Sequence, residues 1–194
     1  MPRLVLLNGP PAIGKTTLAR RYVQDHPLSL VLDIDTLRRS LGQWEAQPEQ
    51  AGRLARDLAL VMARTHLAGG HDVVVPQYVA RTAFLDELGR TAQAVGGTFV
   101  EVYLTDEKDA ALARFAARAG DPALAEHHRE AARHIGGDEG LGAMVDRIEA
   151  VRLTRPHALT VRTRAGDEDR GYRDLVDALE ASSANLGECA DEQV

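Results

Sequence analysis

The sequence predicts an α/β protein, a three-layer α/β/α sandwich on a five-stranded parallel sheet, and three observations carry that prediction. Apolar runs alternate with amphipathic helical stretches along the chain, the spacing of strands that return through a helix to pair in parallel. The opening run, Arg3 to Asn8, is apolar at its centre and leads straight into a glycine-rich turn and a helix, as a buried strand of such a sheet does. No internal repeat, low-complexity block or linker divides the 194 residues. That length builds one full core, so residues 1–183 are expected as a single domain and 184–194 as a flexible tail.

The elements follow in order. After the strand Arg3–Asn8, Lys15 to Gln24 is helical, and Ser29 to Asp33 forms a second strand. Thr36 to Leu41 starts a short helix. Pro48 to Ala68 gives a long amphipathic one carrying Leu54, Leu58, Val61 and Met62 on one face, stopped by Gly69-Gly70. Asp72 to Pro76 is the third strand and Arg81 to Val95 the next helix, closed by Gly96-Gly97. Thr98 to Leu104 is the fourth strand and Glu107 to Ala119 a helix broken by Gly120-Asp121-Pro122. Gly140 to Thr154 is helical, Ala158 to Thr163 the fifth strand and Tyr172 to Ala181 the last helix.

Composition excludes several classes. A net charge of -6 with a pI near 5.6 leaves no global surface for a polyanion, so no nucleic-acid polymer is expected as partner. No apolar run has the length of a membrane span, and Leu4 to Leu7 is too short for a signal-peptide core. The lone Cys189 cannot pair within the chain, which points to a reducing, cytoplasmic setting. Only two of the 23 basic residues, Lys15 and Lys108, are lysines, and one falls inside the glycine turn.

That turn, Gly9 to Thr16, satisfies G-x-x-x-x-G-K-[ST] at every fixed position. Chance would supply the pattern on the order of once in a thousand chains, before its strand-and-helix context is counted. The glycines let successive N–H groups face inward as an anion nest, and the following helix adds its partial positive charge. The chain is therefore expected to have a P-loop NTPase fold and to bind a nucleoside triphosphate, ATP above all, through Gly9, Ala12, Ile13, Gly14, Lys15, Thr16 and Thr17. Lys15 would reach the β- and γ-phosphates, and the Thr16 hydroxyl would ligate Mg²⁺.

Asp33 and Asp35 come at the carboxyl end of the second strand, where ligands collect in sheets of this topology. In an extended chain both would point the same way. One carboxylate can help hold Mg²⁺ and the other can accept a hydroxyl proton; alternatively, one caps the helix near Thr36. The third strand ends in Pro76-Gln77 rather than the acid usual in P-loop proteins. Gln77 can exchange hydrogen bonds with water or substrate but supplies no charge, which argues against a motor or a regulatory GTPase. Arg38, Arg39, Trp44, Tyr78 and Arg81 follow strands two and three and should border an acceptor pocket, the arginines binding an anion and the aromatics stacking on a ring.

With Leu7-Asn8-Gly9 opening the loop, Asp33-Ile34-Asp35 and Asp72-Val73-Val74-Val75-Pro76-Gln77, the chain resembles the P-loop small-molecule kinases. Shikimate and gluconate kinases are the distant members; the closer local likeness is to chloramphenicol-phosphotransferase-type and tunicamycin-resistance-type proteins, over roughly residues 3–118. The resemblance implies that Asp35 takes the substrate and base role and Asp33 the metal side. It also implies that Arg114 and Arg118 stand at the base of a helical lid, residues 119–137, which closes over the phosphates. Arg118 would then steady charge in the transition state, with Arg129 and Arg133 reaching phosphate from the lid. In related kinases the loop after strand five, here Arg164 to Asp167, holds the base. His127, His128 and His134 come with no Cys or carboxylate constellation, so no structural metal is expected.

The leading expectation is an ATP- and Mg²⁺-dependent phosphotransferase acting on a hydroxyl of a small molecule, such as an antibiotic or another metabolite. Lys15, Asp35 and Arg118 would be its catalytic residues; Asp35, Arg38, Trp44, Gln77, Tyr78 and Arg81 would bind the acceptor. The alternatives are a nucleoside or nucleotide kinase and a nucleotide-binding resistance or regulatory protein that transfers nothing.

Overall fold

The computed structural model describes residues 1–117 and 137–191. Five strands form one sheet: β1 (Arg3–Asn8), β2 (Leu30–Val31), β3 (Val73–Val75), β4 (Thr98–Thr105) and β5 (Leu159–Arg162). Their order is β2-β3-β1-β4-β5, all parallel. The helices are α1 (Lys15–Asp25), α2 (Ile34–Arg39), α3 (Pro48–Ala68), α4 (Thr82–Gln93), α5 (Lys108–Ala117), α6 (Gly137–Leu153) and α7 (Glu168–Asp191), with a 3₁₀ turn at Trp44–Ala46. The expected lid lies outside the described residues, apart from Gly137, and so do Arg118, Arg129, Arg133 and the histidines at 127, 128 and 134.

The period of two along β1 separates two cores. Leu4 and Leu6 face one layer with Val73, Val75 and the buried side of α3 and α4. Val5 and Leu7 face the other with Val74, Val102, Leu104 and residues of α1 and α7. Alternate side chains of a strand point to opposite faces, so a sheet covered on both sides must be apolar at consecutive positions. β1 pairs with β3 on one side and β4 on the other. The connection from β1 runs toward the β2 edge and that from its neighbour β4 toward β5, so the crevice beyond the carboxyl ends of these two strands is the place for a ligand.

The long helix differs from its expected orientation. It buries Ala51, Ala55, Ala59, Ala63 and Leu67, a stripe at intervals of four, and turns Leu54, Leu58, Val61 and Met62 outward at 39–65% exposure. Small side chains on the inner stripe let α3 approach α2 and α4 closely. Strand β2 is also shorter than expected, because the chain leaves the sheet after Val31 and α2 begins at Ile34. At the other end α7 starts at Glu168 and continues to Asp191, its first turn carrying Glu168 and Asp169, acids that favour a helix N-terminus. Among the described residues no helix is long and apolar enough to cross a membrane.

Candidate active site

The glycine loop connects the end of β1 to α1, and its backbone departs from ordinary geometry where the motif requires. Gly9, Ala12 and Gly14 all have positive φ, +148°, +66° and +103°. At Gly9 a Cβ would sit 2.9 Å from the Leu104 carbonyl oxygen, so a larger residue is excluded by space as well as by conformation. Gly14 is the N-cap of α1 and offers no side chain; the first turn has no acid. The amide donors there are left for an outside acceptor. Lys15 Nζ donates to the carbonyls of Gly9 and Pro10, 2.8 Å each, which holds the ammonium over the loop. Thr163, buried just after β5, donates through Oγ1 to the Ile13 carbonyl at 3.1 Å and ties the loop to the far side of the sheet.

Asn8, fully buried at the end of β1, joins this loop to the segment after β3. Its Oδ1 accepts from Gly9 N and Val79 N, both at 2.9 Å, and its Nδ2 donates to Val79 O at 2.9 Å. A polar residue closing an otherwise apolar strand was the available signal for it. Replacing it strands buried backbone groups. Asn8→Ala is expected to destabilise the protein by about 2–4 kcal/mol, measured by chemical denaturation, and an unchanged midpoint would contradict the bracket.

One cavity lies against the loop and a second lies beyond the Asn8–Val79 contact. The first, of about 280 Å³, is bordered by Gly14, Thr17, Arg114, Thr163, Ala165 and Asp167. It brings the loop after β5 against the P-loop, as the resemblance implies for a nucleotide base. Arg114 Nη2 lies 2.5 Å from the nearly buried Asp106, which aims the guanidinium across this opening.

The other, of about 540 Å³, lies between α2, α3, the segment 77–81 and α4. Asp35, Arg38, Gln77, Tyr78 and Arg81 line it together with Arg56 and Arg147, two arginines that the sequence pattern did not single out. Asp35 Oδ2 accepts from Gln77 Nε2 at 3.0 Å, and Oδ1 lies 3.3 Å from Arg38 Nη2. Gln77 Oε1 is buried with no hydrogen-bond partner among the described residues. Burial raises the Tyr78 hydroxyl above its ordinary range, and the neighbouring Arg147 opposes that shift. Trp44 is not among the residues lining the cavity; its ring stacks 4.8 Å from the Arg38 guanidinium. Arg39 also lies off the lining, its Nη2 donating to Thr36 Oγ1 at 3.3 Å.

The two aspartates part company. Asp33 is the N-cap of α2, its Oδ1 accepting from Thr36 N at 3.1 Å, and Asp35 sits within the first helical turn. The expectation that both point the same way assumed extended backbone, and the early start of α2 removes it. No cluster of three or more His, Cys, Asp or Glu side chains suited to a metal occurs among the described residues.

A parallel sheet of this order with a glycine loop between its central strand and first helix defines a P-loop NTPase α/β fold. Residues 4–135 match the AAA domain family, and the chain belongs to it. No curated protein matches it in sequence. Among solved structures, a gluconokinase from Sinorhizobium meliloti 1021 is 18% identical, with a TM-score of 0.64 over 95% of each chain. The protein APE1195 is 18% identical, with a TM-score of 0.59 over 93% of this chain and 96% of its own. The APS kinase CysC of Mycobacterium tuberculosis is 24% identical but superposes over only 53% of this chain and 74% of its own, with a TM-score of 0.39. The fold of this chain is similar to those of the gluconokinase and APE1195 over nearly the whole of its length.

Proposed function

We propose that the protein is an ATP-dependent kinase that moves the γ-phosphoryl group to a hydroxyl of a small molecule. One observation carries this reading: a carboxylate-bearing cavity, large enough for a metabolite, is bracketed to the phosphate loop through Asn8 and Val79. Nucleotide storage alone has no use for a second chamber so joined.

The loop amides from Ala12 to Thr17 and the open N-terminus of α1 hold the triphosphate, and Lys15 leaves its two carbonyls for the β- and γ-phosphates. The uncapped donors, the positive-φ loop and the Thr16 hydroxyl fit a magnesium nucleotide. Magnesium supplies charge neutralisation at the transferring group. Thr16 would hold it, with Asp33 taking the metal side through the oxygen not used in capping. Arg114 borders the base cavity, and Arg118, outside the described residues, would steady charge on the transferred group.

At the acceptor, Gln77 and Arg38 orient Asp35, which takes the proton of the attacking hydroxyl. The acceptor oxygen forms a bond to γ-phosphorus as the bond to the bridging β–γ oxygen breaks, releasing ADP and a phosphate monoester. Incubation with γ-labelled ATP, Mg²⁺ and a panel of hydroxyl compounds tests the reading. Label transfer with one-to-one ADP release is expected for at least one compound class. Tight ligand binding with no ADP release would instead support a sequestering protein.

A further inference from the structure

The acceptor cavity has an unbalanced charge. Four guanidinium groups, of Arg38, Arg56, Arg81 and Arg147, line it against the single carboxylate of Asp35, in a chain whose net charge is -6. Arg38 is paired with Asp35, and Arg147 faces the Tyr78 hydroxyl. Among the described residues, Arg56 and Arg81 have no carboxylate within ion-pairing distance.

The two instead act on each other. Burial lowers the Arg56 pKa first and the like charge of Arg81 next; Asp57 and Glu87 oppose this more weakly, and Arg53 adds a small repulsion. Arg56 also rests over the Phe84 ring, 6.0 Å from its centroid, which fixes its stem beside the opening. Arg81 is the N-cap residue of α4, whose first turn has neither a side-chain cap nor an acid. The partial positive charge of that helix end therefore adds to the guanidiniums. Holding like charges together in a half-enclosed site is unfavourable unless an anion completes it.

We propose that the acceptor is itself an anion, a hydroxyl compound whose phosphate or carboxylate group sits between Arg56 and Arg81 while its hydroxyl meets Asp35. The word acceptor rests on the kinase reading; the anion site does not. Guanidinium forks match both oxyanions with paired hydrogen bonds. The one carboxylate of the cavity, Asp35, is held by Arg38 and Gln77.

The test uses the full chain with its triphosphate site filled by Mg²⁺ and a non-hydrolysable ATP analogue. Matched probes are titrated calorimetrically: glycerol against glycerol 3-phosphate, and glucose against glucose 6-phosphate and gluconate. The anionic member of each set is expected to bind at least about tenfold more tightly, with an affinity that falls as salt rises. The phosphate and gluconate arms tell which oxyanion the site prefers. Arg56→Gln and Arg81→Gln should each lose about tenfold or more of that affinity, Arg56→Lys should recover much of it, and nucleotide affinity should stay constant. Equal binding of neutral and anionic probes, or no effect of either glutamine variant, overturns the proposal. Arginine-dependent anion binding without ADP release when ATP is supplied would keep the anion site and remove the kinase, whereas ADP release driven only by neutral probes would do the reverse.

Discussion

Lys15→Ala abolishes ATP turnover, with an expected fall in kcat of about a thousandfold or more. The ammonium is held above the loop by two carbonyls, of Gly9 and Pro10. It is the one loop side chain with a full positive charge, and alanine leaves charge developing on the transferred group without it. The loop itself should survive, because Thr163, Asn8 and the positive-φ glycines shape it without help from Lys15. ADP release at saturating acceptor and a melting curve of the same preparation check this. Turnover within tenfold of the parent, at an unchanged melting temperature, would remove Lys15 from the chemistry.

Asp35→Asn separates binding from transfer. Asparagine keeps the size of the side chain and an oxygen that can accept from Gln77 Nε2, but it cannot take up a proton. Loss of a positioned general base costs about a hundred- to ten-thousandfold, so acceptor phosphorylation should fall by that much while the nucleotide dissociation constant holds. The neighbouring Arg38 loses its ionic partner, and an acceptor KM that moves with kcat would reveal that second effect. Normal phosphoryl transfer by the variant would sink the assignment of Asp35 as base.

What could be read from the chain before its fold was known depended on how local the cause was. The P-loop was fully legible, since the glycines, Lys15 and Thr16 act within one turn of backbone and carry their own geometry. The strands were legible because a doubly covered sheet forces apolar residues at consecutive positions. The inward face of α3 was not. Its large apolar residues dominate any hydrophobic pattern, yet close packing selected the alanine stripe and left Leu54, Leu58, Val61 and Met62 outside. Asp33 and Asp35 were identified by type and position, but their directions depended on where α2 begins, a matter of two residues. Arg56 and Arg147 were invisible because nothing in α3 or α6 marks an arginine for a cavity that only tertiary approach creates. Asn8 could have been found, as the one polar residue of β1 apart from its first, Arg3.

The alanine stripe has a further effect at its N-terminal end. Gly52 and Ala55 belong to the wall of the acceptor cavity, and a Cβ placed on Gly52 would find only Arg56 Nη1, 3.6 Å away. One wall of the chamber is therefore formed by a glycine and an alanine, on a helix separate from the phosphate loop. Such a wall can be raised or lowered one methyl group at a time while the triphosphate site stays as it is. On the proposed kinase reading, the molecule separates a fixed engine from an adjustable socket, and a change of substrate size would require no change in how phosphate is held.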